Sequence, residues 1–315
     1  MGFHSTQLTQ LTMAVNLQNI LKGSFWITLI NFLGRSLPPK QGHWLADRVA
    51  KILASQRELA MVKAVRANQW VVRGESLDKA ALDQVVLETL KNSALSFYNL
   101  YHYLEQPELV RNMIVMDSVT GLLMQREEFE SRGLVVAGLH LSNFDLILQW
   151  MCTHGFDPMV LTIPDPHGAH QKEYERRKAA GMNLVPASIS AFRQALKHLQ
   201  QGGIVLTGID RPIPDANDHP MFFGRPSALP LHYIYLASKA KAPVVVMAVN
   251  LSTERKYQIL TSELIEMDDH DGDENGDILN AEKVLRIAEE LIRKSPGQWG
   301  MSLPVWPETL ELVPN

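Results

Sequence analysis

The residues best suited to chemistry lie in GLVVAGLHLSNFDL, 133–146. A short apolar run stops at His140, and Asp145 follows five positions later. A carboxylate accepting from one imidazole N–H fixes the tautomer and leaves the other ring nitrogen free as a base. The spacing lets Asp145 fold back toward His140 if the chain turns sharply between a strand and a helix. Ser142 or Asn143 is placed to cap that helix, and Asn143 is also a candidate substrate contact. No G-x-S-x-G occurs, and the single cysteine, Cys152, falls within the following helix. A base without a protein nucleophile points to a substrate hydroxyl as the attacking group. The alternative is a histidine that merely ends a strand with a structural hydrogen bond.

A second constellation is GGIVLTGIDRPIPDANDHPMFFGRPSALP, 202–230. Its strand ends in Asp210 and Arg211, which places Asp210 at the same sheet edge as His140. Arg211 has the chemistry to pair with Asp210 or to hold a phosphate or a developing oxyanion. Phe222, Phe223 and Gly224 follow, with the phenylalanines suited to line an apolar slot. A structural ion pair with core phenylalanines is the competing reading. Two further patterns suggest metal binding. DGDENGDILNAE, 271–282, fits an EF-hand loop, but the segment before it reads as a strand rather than an entering helix. HGAHQKE, 167–173, lacks the helical H-E-x-x-H spacing and reads as a polar loop. No metal site is expected from either.

These residues need elements to hold them. Apolar runs of strand length occur at 133–140, 157–163, 183–187, 202–210, 242–250 and 256–264. Helical spacing occupies 143–154, 170–180, 188–201, 228–241 and 280–294. Strands alternating with helices predict an α/β domain with a mixed, largely parallel sheet flanked by helices. Strands buried on both faces read as continuous apolar runs, as these do. The first third is helical: 14–73, broken by the prolines of GRSLPPKQG, then 76–108 with Ser76 as a cap, then 119–133. In ligand-binding sheets of this class the site lies beyond the carboxyl ends of the strands, where His140 and Asp210 both fall. The division expected is a helical N-terminal membrane-associating region over 1–75 and an α/β domain over 76–315.

The chain carries a formal net charge of −4, yet residues 1–73 hold nine Lys/Arg against two acids. Such a segment suits an anionic surface, either nucleic acid or lipid. Its apolar content, LQNILKGSFWITLINFL at 17–33, favours lipid and argues against nucleic acid. That stretch is too short and polar for a confident span and lacks a signal-peptide cleavage site. It reads as an interfacial helix, with a helical cap buried against the domain as the competing reading. One cysteine among 315 residues rules out an internal disulfide framework.

GLVVAGLHLSNFDL, GIDRP, MFFGRPSALP and SPGQWG, in this order, resemble the lysophospholipid acyltransferase-like superfamily, and in particular its bacterial lipid A biosynthesis late acyltransferase branch. The resemblance covers about 15–300. It implies an O-acyltransferase moving a fatty acyl group from acyl-CoA or an acyl carrier protein to a hydroxyl of a glycolipid or lysophospholipid. His140 would be the general base and Asp145 its orienting carboxylate. Asp210 and Arg211 match the later active-site block. Arg176 or Arg177 would serve a head-group or carrier phosphate, unless they form a solvated helix face. No cofactor beyond the acyl donor is implied. The setting would be the cytoplasmic face of a bacterial inner membrane, peripheral or monotopic. Two departures are visible: Asp145 stands where lipid A enzymes often have glutamate, and no basic residue follows Trp299. A non-catalytic lipid-binding protein of the same fold and a hydrolase are the alternatives.

Overall fold

The computed structural model describes residues 32–116, 129, 131–153, 156–164, 169–213, 216–270 and 275–314. The expected helices at 17–33 and 119–133 lie almost entirely outside them. Four helices come first: α1 (Pro39–Ser55), α2 (Ala60–Val72), α3 (Lys79–Tyr103) and α4 (Pro107–Met113). A helical stretch at 32–36 ends before Leu37–Pro38. Pro39 occupies the first position of α1, where its missing N–H costs nothing. The cap of α3 is Asp78, whose carboxylate accepts from the Ala81 amide at 2.8 Å. The expected cap Ser76 lies too far upstream and bonds the Arg73 carbonyl instead.

The chain then continues as β1 (Ile114–Met116), β2 (Leu134–Gly138), α5 (Phe144–Thr153), β3 (Met159–Thr162), α6 (Ala169–Ala179), β4 (Leu184–Pro186), α7 (Ile189–Gln200) and β5 (Ile204–Gly208). A hairpin of β6 (Met221–Phe222) and β7 (Arg225–Pro226) leads to α8 (His232–Ala240), β8 (Val244–Leu251), β9 (Tyr257–Thr261) and α9 (Gly276–Lys294). Short 3-10 turns follow at Pro296–Gln298 and Pro307–Glu311. Seven strands form one sheet in the order β1-β9-β8-β2-β5-β3-β4. All neighbours are parallel except β8 and β9, so the sheet is mixed and largely parallel. All six strands expected from the apolar runs are present, and β1 is an addition.

Side-chain alternation splits the core into two layers. Val135, Ala137, Val205, Ile209, Val244 and Val246 face α7, α8, α9 and the C-terminal tryptophans. Leu134, Val136, Leu206, Val245 and Met247 face α5 and the end of α3. Leu134 through Ala137 have no exposed surface, and each buried Val or Leu contributes about 1.5–3 kcal/mol. A third cluster joins α1, α2 and the start of α3 to Val313.

The register between β2 and β5 positions the site. Gly138 lies opposite Gly208 in a parallel pair. Two residues further along each strand, the same register sets His140 beside Asp210.

The calcium-like stretch is largely helical. Helix α9 begins at Gly276, four residues before its expected start, so 276–282 are wound into it. The Asn280 side chain bonds both the amide and the carbonyl of Asp268, and Glu282 accepts from the Met221 amide at 3.0 Å. The helix expected at 170–180 is present as α6 and takes in residues 169–173 of the expected polar loop.

Candidate active site

His140 stands just beyond β2 with its ring partly open to solvent. Its Nδ1 lies 2.6 Å from Asp210 Oδ1, and its backbone amide donates to Asp210 Oδ2 at 2.8 Å. The ring rests over Gly208. A Cβ there would come within 2.7 Å of His140 Cε1, so only glycine leaves room. Phe144 meets the ring edge-on at 5.1 Å between centroids. Among the described residues, Nε2 has no hydrogen-bond partner. Asp210 as acceptor at Nδ1 favours the tautomer in which Nε2 carries the free lone pair.

Asp210 is completely buried. Burial alone would raise its carboxyl, but the charge and hydrogen bonds of His140 and the Trp299 indole outweigh that and hold it below the usual carboxylate range. Trp299 Nε1 donates to Oδ2 at 2.8 Å. Two N–H groups therefore meet Oδ2, and the imidazole meets Oδ1.

The expected pairing of His140 with Asp145 is replaced by this one. Asp145 does lie in the first turn of α5, as expected, but its Oδ2 accepts from Arg177 Nη2 at 2.7 Å. The carboxylate at Nδ1 comes from the neighbouring strand because sheet register, not chain spacing, decides what flanks a residue at a strand end. Arg176 lies over the Tyr101 ring, 4.1 Å from its centroid. The two arginines are thus tied to the protein rather than free on a solvated face.

Asn143 is nearly fully buried and donates to the Ser96 carbonyl at 2.9 Å. The Asn143 bond ties the turn after His140 to α3. The Tyr257 hydroxyl accepts from Asn99 Nδ2 at 2.7 Å, and burial pushes it up to about 12. Arg211 is half-buried and makes no side-chain hydrogen bond or ion pair among the described residues. Burial lowers its guanidinium, and the Asp210 charge partly restores it.

The phenylalanine block forms a hairpin turn packed against the C-terminal tryptophans. Phe223 (φ 50°) and Gly224 (φ 75°) are the two central residues of the β6–β7 hairpin, and both are left-handed, as a type I′ turn requires. Phe222 is fully buried and stacks on Trp306 at 5.7 Å. It packs in the core and does not line a slot. Phe223 stacks near Trp299 at 6.4 Å. Glu289 accepts from the Phe223 amide at 2.6 Å, and Glu75 takes Arg225 in two bonds of 2.5 and 2.9 Å.

Trp299 is the functional candidate that sequence reasoning quoted but gave no role. The available signal was the indole itself: a buried Trp N–H needs an acceptor. The segment around it is anchored. Gln69 donates to the Pro296 and Trp299 carbonyls, Gln298 bonds both the amide and the carbonyl of Leu251, and the Ser142 amide donates to the Gln298 carbonyl.

A mixed, largely parallel α/β sheet thus carries a histidine–carboxylate pair at its carboxyl edge. The model of one family, described as bacterial lipid A biosynthesis acyltransferase, matches residues 23–307. The chain belongs to that family and is an acyltransferase that acts on a lipid acceptor. No curated protein matches the chain.

Proposed function

We propose that His140 is the general base of the acyl transfer and that Asp210 is its orienting carboxylate. The observation that carries this reading is the 2.6 Å contact between Nδ1 and Asp210 Oδ1, with Nε2 left to face substrate. An acceptor hydroxyl gives its proton to Nε2 as its oxygen attacks the thioester carbonyl. The C–O bond forms and the carbonyl becomes a tetrahedral oxyanion. Collapse of that intermediate breaks the C–S bond, and the imidazolium returns its proton to the departing thiolate. Asp210 stabilises the imidazolium throughout. Arg211, a half-buried cation beside Asp210, is suited to the oxyanion or to an anionic substrate group. General-base catalysis contributes about 10²–10⁴-fold, so positioning and oxyanion stabilisation supply the remainder. The reaction as drawn needs no resident metal or redox cofactor.

The donor on this reading is acyl-CoA or an acyl carrier protein, and the acceptor is a hydroxyl of a glycolipid or lysophospholipid. Arg176 and Arg177 on α6, though already engaged by Tyr101 and Asp145, supply positive charge suited to a donor or head-group phosphate. Residues 1–75 associate with the cytoplasmic face of the inner membrane. Trp44, Arg48 and Ile52 support this: they share one face of α1 at i, i+4 and i+8 and are exposed, with the Arg48 guanidinium over the Trp44 ring at 5.4 Å. Among the described residues no helix is long and apolar enough to cross a membrane.

Mass spectrometry of membrane lipids, from cells making the parent protein or His140→Ala, tests the proposal. An added acyl chain on a hydroxylated lipid is expected with the parent and absent with the variant. Acylation surviving in His140→Ala would refute the base assignment. Lipid binding without any acyl addition by the parent would favour the non-catalytic alternative.

A further inference from the structure

We infer that the Trp299 indole is a positioning residue for the acyl transfer, holding Asp210 in the one state that keeps His140 competent. This rests on the proposed roles of His140 and Asp210. An indole N–H can donate but never accept. Its 2.8 Å bond to Oδ2, beside the 2.8 Å bond from the His140 amide, requires Oδ2 to remain an acceptor. Both donors point at the same oxygen, so the carboxylate cannot rotate without losing them. Oδ1 is thereby left on Nδ1 at 2.6 Å. The two N–H donors on Oδ2 stabilise the ionised carboxylate, which favours the shared proton on Nδ1 and leaves Nε2 its lone pair. When Nε2 takes the acceptor proton, Asp210 meets the new charge without moving. That is preorganisation, the form in which electrostatic stabilisation is most effective.

The aim of the indole is set before it meets Asp210. Its backbone forms an antiparallel bridge with Leu141, the residue after His140. Gln69 holds its carbonyl at 3.0 Å, Asn92 holds the Gly297 carbonyl at 2.8 Å, and Gln298 is bound to Leu251. Phe223 stacks beside the ring and Phe222 meets it edge-on at 6.2 Å. The MFFGRP hairpin and the PGQWG turn, distant in sequence, thus converge on one N–H.

The same aromatic cluster contains an internal control. Trp306 is as buried as Trp299, stacks on Phe222, and lies 6.3 Å from Trp299. Its indole N–H has no hydrogen-bond partner among the described residues. Replacing either tryptophan by phenylalanine removes similar packing, but only one replacement removes a donor to Asp210.

The test compares Trp299→Phe with Trp306→Phe in the full chain. Turnover is followed as thiol released from lauroyl-CoA and from lauroyl-acyl carrier protein, with total membrane glycolipid as acceptor. Hydrogen bonds to charged groups predict that Trp299→Phe lowers kcat about tenfold or more, with KM for the thioester unchanged. Trp306→Phe is expected to keep the parental kcat. Equal losses in both variants, or a parental kcat in Trp299→Phe, would overturn the inference while leaving His140 and Asp210 in place. Full turnover in His140→Ala, run alongside, would instead defeat the reading on which it rests. If Trp299→Phe does not fold, benzothienylalanine at position 299 replaces it. That residue keeps the ring shape and exchanges N–H for sulfur, and the same kcat comparison decides.

Discussion

Two carboxylates lie near the end of β2, and their surroundings differ. Asp210 reaches His140 across the sheet, is wholly buried, and is met by the imidazole, the His140 amide and an indole. Asp145 reaches the same neighbourhood along the chain, from the first turn of α5, and its charge is met by the Arg177 guanidinium at 2.7 Å. A carboxylate already neutralised by a guanidinium offers little to an imidazolium. One flanked by N–H donors and the imidazole itself keeps its charge for the histidine. Proximity in sequence and proximity at a strand end thus select different partners, and on the proposed mechanism only the second sets the proton.

The largest effect expected from this contrast is on turnover in Asp210→Asn. The change keeps shape and removes charge, so kcat should fall by about 10³–10⁴-fold, with the fold retained by circular dichroism. A fall of less than tenfold would remove the distinction between the two acids.

A second histidine, at the start of α8 and against β5, sharpens it. His232 bonds Thr207 Oγ1 at 2.8 Å rather than a carboxylate, and burial lowers its pKa to about 4. The folded state therefore binds its proton less readily than the unfolded chain, where the value is near 6.5. Its neutral form imposes no penalty above about pH 6.5. Between there and pH 4 the unfolded state gains the proton first, and stability falls by roughly 3 kcal/mol. Denaturant titrations across this range should show that loss in the parent and a much flatter profile in His232→Gln. An equally steep profile in the variant would assign the acid sensitivity elsewhere.

Asp145 provides the smallest test. A double-mutant cycle of Asp145→Asn with Arg177→Gln should give an interaction energy of about 1–3 kcal/mol in stability, so the double variant is scarcely worse than either single one. A cycle of Asp145→Asn with His140→Ala should be nearly additive. Strong coupling in the second cycle would restore the chain-neighbour pairing.

The contrast also explains what was legible in the sequence. The strands at 134–138, 204–208 and 244–251 were visible because burial on both faces makes each a continuous apolar run. β1 was not, because three residues carry no period and its pairing with β9 is made over a long distance in the chain. His140 and Asp210 could both be placed at the carboxyl edge of the sheet. That they are adjacent depends on β2 and β5 being neighbours with Gly138 opposite Gly208, which no local pattern encodes. The H-x-x-x-x-D spacing drew attention to Asp145 for the opposite reason: it is local. The β6–β7 hairpin was hidden because a left-handed φ at Phe223 leaves no trace in composition. The start of α9 was obscured by acidic residues that mimic a calcium loop.

The most direct test of the central claim is the imidazole proton itself. Proton NMR of the full chain should show a downfield Nδ1–H resonance from a histidine bonded to a carboxylate. The account predicts that this signal disappears in His140→Ala and in Asp210→Asn and persists in Asp145→Asn. A signal that survives Asp210→Asn and is lost in Asp145→Asn would contradict it.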